Sequence, residues 1–184
     1  MREPRISTSI YRLPRSGLVQ RVFCLLAPPA DVPHQRHQSV SVNLTGLLWA
    51  YLKQHRIGRV FSAPFDVVFS TMDVVEPDLL YVSNARRAAV LTERHVAGAP
   101  DLVVEIKSPS TGPRDAGLKR RLYERFGVSE YWLVDPKAHT IAVYRQGNAG
   151  FCAAIKLERA RGDESTSPLF PGLTLSLVEI FETD

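Results

Sequence analysis

The chain has 184 residues, 45% hydrophobic and 23% charged, a composition that fits a globular protein with one substantial core. No apolar run approaches a membrane span, and no continuous apolar segment marks a secretory signal, so a cytoplasmic protein with no membrane contact is expected. The net charge of +4 comes from residues 1–36, where six arginines face Glu3 and Asp31; the other 17 basic and 17 acidic residues cancel.

Residues 1–17 show no sustained period and contain Pro4, Pro14 and Gly17, the pattern of an irregular basic arm. Leu18 to Leu26 can form a first strand before the Pro-rich residues 28–36. From His37 the pattern turns helical: Val40, Leu44, Leu47, Leu48, Tyr51 and Leu52 recur at spacings of three and four, with Gly58 expected to cap the helix. Short runs at 59–61, 65–69 and 74–82 read as neighbouring antiparallel strands; Pro77 makes the third an edge strand there or starts it at Asp78. Residues 83–98 read as a polar connection. A second helix is expected from about Asp115 to Phe126, with Leu118, Leu122 and Phe126 as its core stripe and Asp115, Lys119 and Tyr123 on an adjacent one. A strand at Glu130–Val134, a hairpin around Gly147-Asn148, and a terminal strand and short helix follow. Cys24 and Cys152, each among apolar residues, are expected as buried free thiols. No internal repeat, low-complexity segment or second domain is visible. The expected division is a basic arm with a first strand over 1–27 and one domain over 28–184.

The most informative stretch is Ala99-Pro100-Asp101-Leu102-Val103-Val104-Glu105-Ile106-Lys107-Ser108. Strand alternation places Glu105 and Lys107 on one face, roughly 7 Å apart, and Leu102, Val104 and Ile106 on the other. An apolar strand that delivers an acid and an amine at its end needs those groups paired, hydrated or bound to a metal. If the strand bearing Pro77-Asp78 pairs with this one, Asp78 and Glu105 converge at one end of the sheet. Two carboxylates, a backbone carbonyl and waters suit Mg²⁺ or Mn²⁺. Lys107 then stands where it can orient a water or stabilise developing charge, the logic of metal-dependent phosphodiester hydrolysis. Taken singly, Asp78 also fits a turn after proline, and Glu105 with Lys107 a surface pair.

Pro77-Asp78-Leu79-Leu80-Tyr81-Val82, Gly98 through Thr111, and Gly127-Val128-Ser129-Glu130-Tyr131-Trp132-Leu133-Val134-Asp135-Pro136 together resemble the Uma-two family of restriction endonucleases, within the PD-(D/E)XK nuclease superfamily. Asp115, Lys119, Tyr123, Pro28 and His37-Gln38 extend the likeness, which covers roughly residues 24 to 181. It implies an α+β fold, a restriction-endonuclease-like core with a central mixed sheet flanked by helices. It also implies Asp78 and Glu105 as metal ligands, a Mg²⁺-dependent DNA endonuclease activity, and a catalytic lysine, with Lys107 the favoured residue and Lys119 a second, phosphate-facing candidate. Lys107 follows from acid-x-Lys spacing; many relatives instead use a lysine on the following helix, as Lys119 is, whose structural role would be a pair with Asp115. His37, Asp115, Glu130 and Tyr123 are accessory candidates. Their structural readings are a capping or packing histidine, with His34 as an alternative counterpart, a helix-surface pair, a polar strand-start residue and a core tyrosine. Arg114, Arg120 and Arg121 are candidates for the DNA backbone, or a solvated helix face. A homodimer would supply two centres for two strands.

One departure stands out: Gly17-Leu18-Val19-Gln20-Arg21-Val22 has no acid where the family carries one. That motivates a different class of function, a catalytically inactive nucleic-acid-binding or interaction module that keeps the fold. A purely structural partner subunit is the third reading.

Overall fold

The Val40, Leu44, Leu48, Tyr51 and Leu52 stripe does what its spacing predicts: in α1 (Gln35–His55) all five side chains are buried against one face of a sheet. The structure, a computed structural model, describes residues 35–108 and 113–182, without the side chains of 113–116. The basic arm, the strand expected at 18–26, His34, Cys24 and the side chains of Arg114 and Asp115 lie outside the described residues.

In chain order, α1 is followed by β1 (Gly58–Ser62), β2 (Asp66–Val68), β3 (Val74–Val75), β4 (Leu79–Ser83), α2 (Asn84–Val90), β5 (His95–Ala97) and β6 (Leu102–Ile106). Then come α3 (Pro113–Arg125), β7 (Glu130–Asp135), β8 (Thr140–Gly147), β9 (Gly150–Phe151), β10 (Ile155–Glu158), a 3-10 turn at Arg159–Arg161, β11 (Glu164–Thr166), β12 (Thr174–Ser176) and α4 (Leu177–Ile180). The main sheet runs β1-β4-β6-β7-β8-β10, with β9 added beside β8. It is mixed: β6 and β7 are parallel, and its other pairs are antiparallel. The parallel pair requires a crossover, which α3 supplies.

All five residues of β6 are buried, because the sheet is covered on both faces. Leu79, Tyr81, Leu102, Val104, Ile106, Trp132 and Val134 face α1, α4, Phe170 and Phe181. Leu80, Val82, Val103 and Tyr131 face the other way, toward Tyr123 and the small β-layer. Asn43 of α1 ties the first cover to the second half of the chain: its Nδ2 donates to the carbonyls of Glu179, Ile180 and Glu182 at the end of α4.

Four expectations change. The run at 65–69 leaves the main sheet after Pro64 and forms β2, which pairs antiparallel with β3 and parallel with β5 in a separate three-stranded sheet. The supposed connection at 83–98 holds both α2 and β5. The helix end is made by Arg56 in the left-handed region (φ 49°), while Gly58 already belongs to β1, where an added Cβ would strike the Tyr81 ring and the Val82 carbonyl. Cys152 is exposed. Among the described residues, no helix is long and apolar enough to cross a membrane.

Candidate active site

Leu79 of β4 lies opposite Val104 of β6, so one further step of that antiparallel register brings Asp78 opposite Glu105. Both share the sheet face of Leu80 and Val103, the face covered by Tyr123 of α3. Pro77 has no N–H to give and stops the ladder here. The Asp78 side chain takes over: its Oδ2 accepts from the Ile106 N–H at 2.6 Å, and its carbonyl accepts from Ala63 N–H at 2.9 Å. The other oxygen, Oδ1, is 3.3 Å from Nε2 of His37, in the first turn of α1. The hydrogen bond to Asp78 raises the His37 pKa above its ordinary value, against burial, with help from the Asp78 charge, the Ile106 carbonyl and Glu105. Nδ1 of His37 is buried with no hydrogen-bond partner among the described residues.

Glu105 is 8% exposed. Its Oε2 accepts from Lys119 Nζ at 2.9 Å and its Oε1 from the Tyr123 hydroxyl at 2.5 Å. Lys119 and Tyr123 are one turn apart on α3 and reach the same carboxylate. Burial raises the Glu105 pKa, the Lys119 charge opposes this, and the like charge of Asp78 adds to it. Burial and the Glu105 charge together push the Tyr123 hydroxyl well above its ordinary value, so it is a neutral donor at physiological pH. Two like-charged acids at one end of paired strands form a site whose repulsion a cation relieves. Asp78, Glu105 and the Ile106 carbonyl at the strand end are oxygen donors of the kind a hard divalent ion takes. Among the described residues, no three or more His, Cys, Asp or Glu side chains cluster as a ready metal cage. Mg²⁺ needs only one or two carboxylates, with waters and substrate phosphate completing its shell.

The two lysines separate here. β6 ends at Ile106, and Lys107 Nζ donates to Asp135 Oδ2 at 3.1 Å, while it is Lys119 that donates to Glu105. Partial burial raises the Asp135 pKa, but hydrogen bonds from Ala138 N–H and Lys107 outweigh it and hold the carboxyl below its ordinary range. Glu130 lies on the opposite sheet face from Glu105, buried to 2%, accepting from Trp132 Nε1 at 2.9 Å and from Arg145 Nε at 2.9 Å. Glu130 stands opposite Leu102 at the start of β6, away from the Asp78–Glu105 end of the sheet. Arg120 is half-buried over the Tyr144 ring, 5.5 Å from its centroid, and Arg121 is exposed. The core stripe of α3 also rotates from its expected position: Leu118 is 39% exposed, while Tyr123 is fully buried. The sequence reading singled out His37 as an accessory residue without naming Asp78 as its partner, and it missed Asp135 as the partner of Lys107. An acid closing the next parallel strand was the available signal for the latter.

The model of the Uma2 family, described as "Putative restriction endonuclease", matches residues 27–178. Among solved structures, a protein from Anabaena variabilis ATCC 29413, described as "a putative nuclease belonging to DUF820", is similar with a TM-score of 0.69 and 21% identity. The similarity covers 82% of this chain and 83% of that one, and at this identity it shows the fold alone. No curated protein matches the chain. A family match across most of the sequence, on a sheet of restriction-endonuclease-like architecture, shows that the chain belongs to the Uma2 family.

Proposed function

We propose that the protein is a divalent-metal-dependent endonuclease that hydrolyses phosphodiester bonds in DNA. The observation that carries this reading is the pair Asp78 and Glu105 on hydrogen-bonded strands, with the Lys119 ammonium 2.9 Å from Glu105. Mg²⁺ or Mn²⁺, when bound, neutralises phosphate charge and acidifies a water. Asp78, Glu105 and the Ile106 carbonyl are the groups that would hold it. Lys119 rather than Lys107 then orients the attacking water or stabilises the charge that develops on the phosphate oxygens. Tyr123 fixes the Glu105 rotamer, and His37 holds Asp78 from the α1 side. Cutting both strands of a duplex is simplest with two such centres, which a symmetric homodimer would supply.

One observation favours the alternative, a nucleic-acid-binding module without catalysis: both Glu105 oxygens are already engaged, by Lys119 and Tyr123. Incubation of supercoiled plasmid with Mg²⁺ or Mn²⁺ separates the two readings. The nuclease reading expects nicking by the wild type that disappears in Asp78→Asn and Glu105→Gln. Absence of nicking with DNA still bound in EDTA supports the module; equal nicking by all three proteins refutes the assignment of the carboxylates.

A further inference from the structure

The surface around the C-terminal end of α1 gathers cations with no acid among them. A groove of about 550 Å³ there is lined by Trp49, Lys53, Arg56, Arg59, Asn84 and Arg87, together with apolar backbone neighbours. An adjoining groove shares Arg59, Asn84 and Arg87 and adds Phe61 and Phe65, whose rings stack at 4.7 Å, with Glu93 at its margin. All four cations of the first groove are exposed, and none of them lies within 4 Å of a carboxylate among the described residues. In a chain whose charges otherwise balance beyond residue 36, four unneutralised cations around one groove concentrate positive potential there.

Two further features make the groove more than a charged surface. Trp49 is 56% exposed, its indole flanked on one side by Lys53 at 5.0 Å. An exposed indole beside cations is the combination that stacks bases while its neighbours hold phosphates. Arg56 occupies a left-handed backbone position where glycine or asparagine is the ordinary choice, and its carbonyl is anchored by Asn84 Nδ2 at 2.6 Å. An arginine at that position, tied to the start of α2, whose last turn carries Arg87, holds two guanidinium groups at one rim. The chain's own N-terminal segment has the wrong sign to fill the groove, since residues 1–34 carry Arg2, Arg5, Arg12, Arg15 and Arg21 against Glu3 and Asp31. Along α1 the groove begins at Trp49, about 18 Å from His37, so it is separate from the carboxylates.

We propose that Trp49, Lys53, Arg56, Arg59 and Arg87 form a binding site for single-stranded nucleic acid, the cations holding successive phosphates and Trp49 stacking a base. The proposal shares with the nuclease reading only the class of ligand and stands whether or not the carboxylates cleave.

The test uses the full chain in EDTA with a fluorescein-labelled oligothymidylate, read by anisotropy over a salt series and by tryptophan emission. Trp132, the other tryptophan, is fully buried, so any quenching reports Trp49. The expected result is quenching on binding that is lost in Trp49→Phe. The Arg56→Ala/Arg59→Ala/Arg87→Ala variant should bind at least tenfold more weakly, with the slope of log K against log salt reduced by about two, as three lost phosphate contacts require. The corresponding triple lysine variant should retain most of the binding. Unchanged affinity and slope in the triple alanine variant overturn the proposal. Saturation with no change in Trp49 emission overturns it too, as does capture of anionic phospholipid vesicles or polyglutamate instead of the oligonucleotide. Plasmid nicking without oligonucleotide binding at this groove removes this inference and leaves the nuclease reading; binding without nicking does the reverse.

Discussion

Replacing Lys119 with methionine tests whether α3 exists to compensate Glu105. The two side chains are 19% and 10% exposed, so their interaction is screened far less than a surface pair. The substitution keeps most of the volume of the lysine stem but leaves a buried carboxylate with, among the described residues, the Tyr123 hydroxyl as its side-chain donor. Stranding one partner of a buried pair costs about 3–5 kcal/mol. For a chain of this length, ~3 kcal/mol corresponds to a fall in Tm of roughly 6–12 °C. The pH dependence identifies the cause. The folded pKa of Glu105 is already raised by burial, and Lys119 is the charge that holds it down, so it rises further in the variant. The deficit is then fully present above that raised pKa and shrinks as the pH falls through it, because a neutral Glu105 does not need the ammonium. Urea unfolding at about pH 8 and about pH 5 measures both values, with Lys156→Met as a control. Lys156 pairs with Glu158 at the surface, 65% and 30% exposed, and should cost under about 1 kcal/mol at either pH. A Lys119→Met deficit below about 1 kcal/mol, or one of equal size at both pH values, refutes the reasoning.

Three other outcomes follow from the same geometry. In plasmid nicking, Lys119→Ala should lower the rate by about 10²-fold or more, as loss of a charge-stabilising donor does, while Lys107→Ala stays within a few-fold of wild type because its ammonium is on Asp135. Glu130→Ala should destabilise the fold by about 3 kcal/mol in urea unfolding, by stranding Arg145 and Trp132 Nε1, with nicking per folded molecule unchanged. His37 has a folded pKa raised above its unfolded 6.5, so the stability it adds is complete below 6.5 and is lost as pH rises through the folded value; His37→Gln should flatten Tm against pH in that window.

The strand that carries the site was legible because it is apolar throughout and charged only at its end, a pattern no surface segment shows. The α1 stripe was legible for the same reason, since its five buried positions keep helical spacing. What escaped the sequence was short or long-range. β5 is three residues long, too short for alternation to register, and the Asn84-Ala85-Arg86-Arg87 opening of α2 has no apolar face. The spacing rule put Lys107 beside Glu105 but could not show that Asp135, at the end of the next strand, takes its ammonium. Lys119 and Tyr123 were visible as an i, i+4 stripe. Leu118 was placed in the core as well as Tyr123, because a leucine weighs heavily in a hydrophobic pattern. The helix turns the other way, since Glu105 must find donors inside the fold.

His37, Asp78, Glu105 and Lys119 come from four different elements, α1, β4, β6 and α3, and only packing on both faces of the sheet brings them together. No segment of the chain carries the centre by itself. A nascent or partly unfolded molecule, with α1 or α3 still undocked, presents scattered ions in place of the assembled group. Local opening of either helix disarms the site while most of the sheet persists. Whatever reaction those side chains perform is therefore confined to the finished molecule, and a cell making this protein is shielded from it until the last helix docks.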